Sequence, residues 1–137
     1  MKVLVDTSIW SLAFRRRSGA TREPDAAPVA ELASLVEDGR VAMIGPIRQE
    51  LLSGIRDLEH FERLRDHLGA FPDVEITAAD YEEAAAFFNR CRARGIHASN
   101  TDFLICAVAA RNGFAIFTSD QDFARFAKVL PIVLHDL

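Results

Sequence analysis

The sequence predicts an α/β protein: a single-domain α/β/α sandwich with a mostly parallel sheet of about five strands. Three observations predict it. Short apolar segments bounded by turn or cap residues recur along the chain, segments with apolar residues three and four apart lie between them, and the two kinds alternate. Such alternation favours a parallel sheet with helices on both faces, whose strands are apolar throughout because neither face meets water.

Taken in order, KVLV (Lys2 to Val5) is the first strand, and a helix begins near Ser8 with Trp10 and Phe14 at helical spacing. The segment RRRSGATREPDAAP, from Arg15 to Pro28, is charged and proline-containing and reads as a surface loop. Val29, Leu32, Ala33, Leu35 and Val36 mark a helix, RVAMI (Arg40 to Ile44) a strand, and Ile47, Leu51, Leu52 and Ile55 a further helix. Helix from Leu58 to Leu68, strand VEI (Val74 to Ile76) and a helix from Ala78 to Arg94, stopped by Gly95, come next. A helix from Thr101 to Arg111 is stopped by Asn112-Gly113, after which FAIF (Phe114 to Phe117), the helix QDFARFA and PIVL (Pro131 to Leu134) close the pattern.

A length of 137 residues suits one domain, here 1–137, and a hydrophobic content of 50% supplies a core. The net charge of -4 leaves nucleic-acid binding open, since a sum hides how charge is distributed. The longest uninterrupted apolar run, Phe103 to Ala110, is far short of the roughly 20 residues that span a bilayer. The amino terminus lacks a signal-peptide pattern, so a cytoplasmic protein is expected. Cys91 and Cys106 form no C-x-x-C pair and have no histidine at ligand spacing, which argues for buried reduced thiols rather than a disulfide or zinc. His60, His67, His97 and His135 are scattered in the same way.

The acids are not scattered. Asp6 directly follows the first strand, Asp120 comes just after FAIF, Asp102 opens the helix of Phe103, Ile105, Cys106 and Ala109, and Glu50 lies early in the helix after RVAMI. Ligands of open α/β sheets sit beyond the carboxyl ends of the strands, where these positions converge. Each acid also has a simpler reading: Asp6 as a helix cap, Asp102 as the third position of a capping box begun by Ser99, Glu50 as a solvated helix residue, and Asp120 or Asp122 as the start of QDFARFA. Convergence is harder to explain this way. Two like charges about 4 Å apart repel by about 4 kcal/mol at an effective dielectric near 20, so crowded carboxylates call for a cation. Oxygen ligands without histidine or thiolate suit Mg²⁺ or Mn²⁺, ions that activate water and stabilise a leaving oxygen in phosphodiester cleavage.

VDTSIW at Val5 to Trp10, the Glu50 helix with LLSGI, DFLICAVAA from Asp102 and TSDQDF from Thr118 together resemble the PIN domains, and within them the VapC-type ribonuclease toxins of bacterial and archaeal toxin-antitoxin systems. The resemblance covers nearly the whole chain. It implies a Mg²⁺- or Mn²⁺-dependent endoribonuclease whose acidic pocket corresponds to Asp6, Glu50, Asp102 and Asp120, with Asp6, Asp102 and Asp120 at the metal. Asp122 becomes an auxiliary acid, and Thr7, Ser8, Thr118 and Ser119 supply hydroxyls to hold a carboxylate or bound water. A cognate VapB-type antitoxin covering the pocket and a toxin homodimer are implied as well. A haloacid-dehalogenase phosphatase would carry a second Asp where Ser8 stands, and a receiver domain would carry an acidic pair before its first strand ends and a lysine after a late strand. The alternative of another class is a catalytically silent PIN-like module that binds RNA or protein.

Arg15, Arg16, Arg17 and Arg22 near Asp6, and Arg90, Arg92 and Arg94 before Asp102, offer phosphate contacts; solvated surface arginines are the other reading. Trp10 and Phe14 are candidates for base stacking or core. The series Ile47, Leu51, Leu52, Ile55, Leu58, Phe61 and Leu64 is a candidate partner groove, with core burial the simpler reading.

Overall fold

Val3, Leu4 and Val5 have no exposed surface, as befits a strand in the middle of a covered sheet. They form β1 (Val3–Val5), flanked in parallel by β2 (Val41–Ala42) and β3 (Ala115–Phe117), with β4 (Val133–Leu134) parallel to β3 at the edge. The order is β2-β1-β3-β4. The structure is a computed structural model and describes residues 1–17 and 25–137; the side chains of Arg16 and Arg17 lie outside the described residues.

Seven helices connect and cover the strands among the described residues: α1 (Thr7–Arg17), α2 (Ala26–Glu37), α3 (Gly45–Leu52), α4 (Leu58–Leu68), α5 (Ala78–Arg92), α6 (Asn100–Asn112) and α7 (Asp122–Ala127). Their main contacts form two groups, α1 with α2 and α3 and α3 with α4 on one hand, α5 with α6 on the other, and α6 also packs on β3. Every residue of α6 from Phe103 to Ala109 is buried, which explains why this helix is apolar all round. Its end at Gly113, φ 72°, is the left-handed cap that Asn112-Gly113 predicts. Cys91 and Cys106 are buried free thiols, both pushed up in pKa chiefly by burial. No helix of the described residues is long and apolar enough to cross a membrane.

Two expectations are corrected. VEI is not a strand: a single bridge pairs Met43 with Asp73, followed by one bond from Val74 N–H to the Met43 carbonyl, so the sheet has four strands rather than five. The segment is held by side-chain chemistry instead. Arg48 donates through Nε to Asp73 (3.0 Å) and through its other nitrogens to the carbonyls of Leu68 (2.9 Å) and Phe71, tying the end of α4 beside α3. The Arg15 to Pro28 segment is not simply a loop either. Helix α1 runs through Arg15 to Arg17, and α2 begins at Ala26, while residues 18–24 lie outside the described residues. Arginine is a good helix former, and Pro28 falls in the first turn of α2, where its missing N–H leaves no bond unmade.

The apolar series divides. Ile47, Leu51 and Leu64 join the core, and Leu58 is exposed. Trp10 is core too, stacked on Phe14 and edge-on to Phe71 with ring centroids 6.2 and 5.2 Å away.

Candidate active site

The register that pairs Val5 with Phe117 sets the chain's next residues side by side at the carboxyl edge of the sheet. Asp6 N–H donates to the Phe117 carbonyl (2.9 Å), carrying the β1–β3 ladder one step further and placing the Asp6 side chain beside Thr118. Asp6 is 7% exposed, and its Oδ2 accepts the hydroxyls of Thr118 (2.8 Å) and Ser8 (2.9 Å). Ser8 in turn accepts the Ser119 N–H (3.1 Å), and Thr118 accepts the Asp120 N–H (3.0 Å). Thus Thr118, Ser8 and Ser119 form one network around Asp6. Two neutral hydroxyls hold this buried carboxylate, and burial makes such a group costly to leave uncompensated.

Asp102 sits at the opening of α6. The capping box expected from Ser99 is present: Ser99 Oγ accepts the Asp102 N–H (3.1 Å), and Asp102 Oδ2 accepts the Ser99 N–H (3.4 Å). Capping does not exhaust its role. Burial pushes the Asp102 carboxyl above its ordinary range against the opposing pull of the Ser99 bonds, and the negative charges of Asp6 and Asp120 push it further. Three acids from separate parts of the chain therefore share one electrostatic neighbourhood.

Asp120 is exposed, and its Oδ1 accepts the Asp122 N–H (2.9 Å). Asp122 lies in the first turn of α7 and pairs with Arg125 (2.8 Å), one helical turn on. Glu50, exposed, stands in the last turn of α3 rather than early in the helix as expected, because α3 begins at Gly45 and ends at Leu52, and it lines a cleft shared with Thr7, the neighbour of Asp6. The Thr7 hydroxyl is buried with no hydrogen-bond partner among the described residues.

Among the described residues no group of three or more His, Cys, Asp or Glu is gathered closely enough to hold a metal ion as it stands. The local bonds explain this, since Asp102 is turned to Ser99 and Asp120 to Asp122. The donor chemistry nevertheless fits a hard divalent cation: the donors are carboxylate and hydroxyl oxygens, and their mutual repulsion is what a cation relieves.

Of the basic residues, Arg15 and Arg94 are exposed, whereas Arg90 and Arg92 lie over the rings of Phe87 and Phe88 on their own helix. Sequence reasoning missed two features. One is Asp80, buried at 4% exposure and paired with Arg111 (2.9 Å); its signal is the Thr77-x-x-Asp80 spacing, the same as Ser99-x-x-Asp102. The other is an apolar groove of about 640 Å³ lined by Trp10, Phe14, Leu32, Val36 and Phe71 among others, whose walls come from segments distant in sequence.

The model of the PIN domain family matches residues 3–129. The VapC ribonuclease Mb1587 of Mycobacterium bovis and ribonuclease VapC11 of Mycobacterium tuberculosis are each 35% identical over 129 residues, spanning 93% of this chain and 92% of theirs. Among solved structures, VapBC2 from Rickettsia felis bound to a promoter DNA fragment superposes with a TM-score of 0.77 at 17% identity, covering 100% of this chain and 99% of that one. FitAcB from Neisseria gonorrhoeae gives 0.74 at 21% identity, covering 97% and 96%.

Proposed function

The chain belongs to the PIN domain family, and on that premise we propose that it is a metal-dependent endoribonuclease, the toxin of a toxin-antitoxin pair. One observation carries the reading. Asp6 after β1 and Asp120 after β3 both press on the charge of Asp102 at the head of α6, at the carboxyl edge of a parallel sheet where ligands of such folds bind. Ribonuclease relatives at 35% identity over nearly the whole chain support the same activity.

In this reading Asp6, Asp102 and Asp120 hold Mg²⁺ or Mn²⁺, and Glu50 borders the same site. The ion would supply an activated water and neutralise charge on the leaving oxygen. This chain's own residues do the positioning: the Thr118 and Ser8 hydroxyls fix the Asp6 carboxylate, and the Thr118–Asp120 bond fixes the loop that carries Asp120. Asp122 supports from behind, since its own carboxylate is turned to Arg125. Arg15, Arg16, Arg17 and Arg94 are the candidate contacts to RNA phosphates.

A VapB-type antitoxin is the proposed partner, supported by solved toxin-antitoxin complexes of the same fold. The apolar groove beside Trp10 would receive a helix of such a partner. A homodimer of the toxin belongs to the same proposal.

The experiment is cleavage of single-stranded RNA by purified protein. Activity should vanish in EDTA and return with Mg²⁺ or Mn²⁺. Full activity of demonstrably metal-free protein would overturn the metal-dependent reading, and absence of cleavage under all conditions would leave a binding module.

A further inference from the structure

Beside the acids lies a second concavity. It has a volume of about 310 Å³ and is walled by α1, α3 and α4 with the turn between the last two, and its lining includes Thr7, Phe14, Arg15, Glu50, Ile55 and His60. A space of that size is in the range of small-ligand sites. Its composition differs from that of the apolar groove: an aromatic and aliphatic floor carries a guanidinium, an imidazole and a carboxylate at the rim. It meets the acidic site at two points, through Thr7, next to Asp6 in the chain, and through Glu50. At the first of these the Thr7 hydroxyl is buried without a hydrogen-bond partner among the described residues, an unmet polar group at the junction.

We propose that this cleft is a nucleotide subsite, holding one unpaired nucleotide next to the scissile phosphate, with His60 as its specificity-determining wall. The inference rests on the ribonuclease reading and deepens it. An apolar floor beside an imidazole ring suits a splayed-out base, which single-stranded RNA offers and a stacked helix does not. Arg15 places a permanent positive charge where the backbone phosphate of that nucleotide would lie, offsetting the repulsion a polyanion meets at a carboxylate cluster. His60 is exposed, and its backbone N–H donates to the Asp57 carboxylate (3.0 Å), a bond that does not involve the ring, so the side chain is open to alteration without loss of this cap.

Two variants test this. His60→Ala removes the ring, and Ile55→Trp fills the cleft from its floor without replacing an acid. Binding of a fluorescent single-stranded oligoribonucleotide is measured in EDTA, where metal-dependent cleavage is silent, and cleavage kinetics and cut positions are measured with Mg²⁺. We expect both variants to weaken binding about tenfold, the scale of one lost base stack, and to raise KM while kcat changes less than about twofold. The cut-site preference should relax in His60→Ala. Melting temperatures, read alongside, separate these losses from unfolding. Equal binding and identical cut sites for His60→Ala and wild type would overturn the subsite. Weakened binding in the variants together with a wild type that cleaves no RNA would overturn the ribonuclease reading alone.

Discussion

Helices α5 and α6 lie against each other and open with the same device, yet the two openings have different chemistry. In each, an Asp three residues after a hydroxyl residue reaches back to that residue's backbone N–H: Asp80 to Thr77 (2.8 Å) and Asp102 to Ser99 (3.4 Å). Asp80 is then completed by the Arg111 guanidinium from α6. The charges that bear on Asp102 are instead those of Asp6 and Asp120, both negative. The first carboxylate is compensated inside the fold, and the second is left to be compensated from outside. A short motif therefore says where a carboxylate will stand, while its neighbours decide whether it is structure or chemistry.

Exchanging each Asp for Asn should separate the two sharply. Asp102→Asn is expected to lower RNA cleavage about 100-fold or more while keeping the cap, because Asn also accepts the backbone N–H. Asp80→Asn should leave cleavage within a few-fold and instead cost about 2 kcal/mol of stability, since it breaks a charge-assisted bond at a buried site. Cleavage assays and urea midpoints on the same two proteins read both outcomes. A pair that behaved alike would dissolve the distinction.

Removing metal sharpens it further. In EDTA, Asp102→Asn should melt at or above the temperature of wild type, because one of several crowded charges is gone. Added Mg²⁺ should stabilise wild type more than the variant. The pH dependence has a definite sign. Asp102 ionises at a higher pH folded than unfolded, so the folded protein holds the extra proton between the ordinary value of 3.8 and the raised one. Its contribution to the stability of metal-free protein is thus greatest below that window and falls as pH rises through it. Asp102→Asn lacks this fall, and its advantage over wild type in EDTA should grow with pH across the window and then level off. A constant difference in melting temperature from acid to neutral pH would contradict the assignment.

The smallest effect belongs to Asp122. Its partner Arg125 is half-exposed and lies one turn away, an arrangement worth about 0.5 kcal/mol or less. Asp122→Asn should keep cleavage within about twofold of wild type, measured at saturating Mg²⁺. A loss comparable with that of Asp102→Asn would move Asp122 from support to the metal.

Asp6 and Asp120 were legible in the sequence because each stands just past a strand, where an apolar run stops. FAIF ends and Asp120 follows; KVLV ends and Asp6 follows. What decides their roles was not legible, because the Arg111 partner of Asp80 is 31 residues away and the Thr118 partner of Asp6 is 112 away. VEI misled for a related reason. Val74 and Ile76 carry strand propensity, but the segment is fixed by Arg48, a residue on another element, and makes only one bridge to the sheet. The arginines after Phe14 misled in the opposite way, since charge suggested a loop while helix propensity continued α1.

The sheet order has a consequence for biosynthesis. Of the parts of the site, β1 and Asp6 are made first, and the neighbouring β3 and the Thr118 hydroxyl that fixes Asp6 are translated more than 100 residues later. At roughly 5–20 residues per second, several seconds separate the two ends of the site. Through that interval a ribosome-tethered chain lacks β3, Thr118 and Asp120 and cannot assemble the acidic edge. The acidic edge is thus absent from a nascent chain until translation has passed β3 and Asp120.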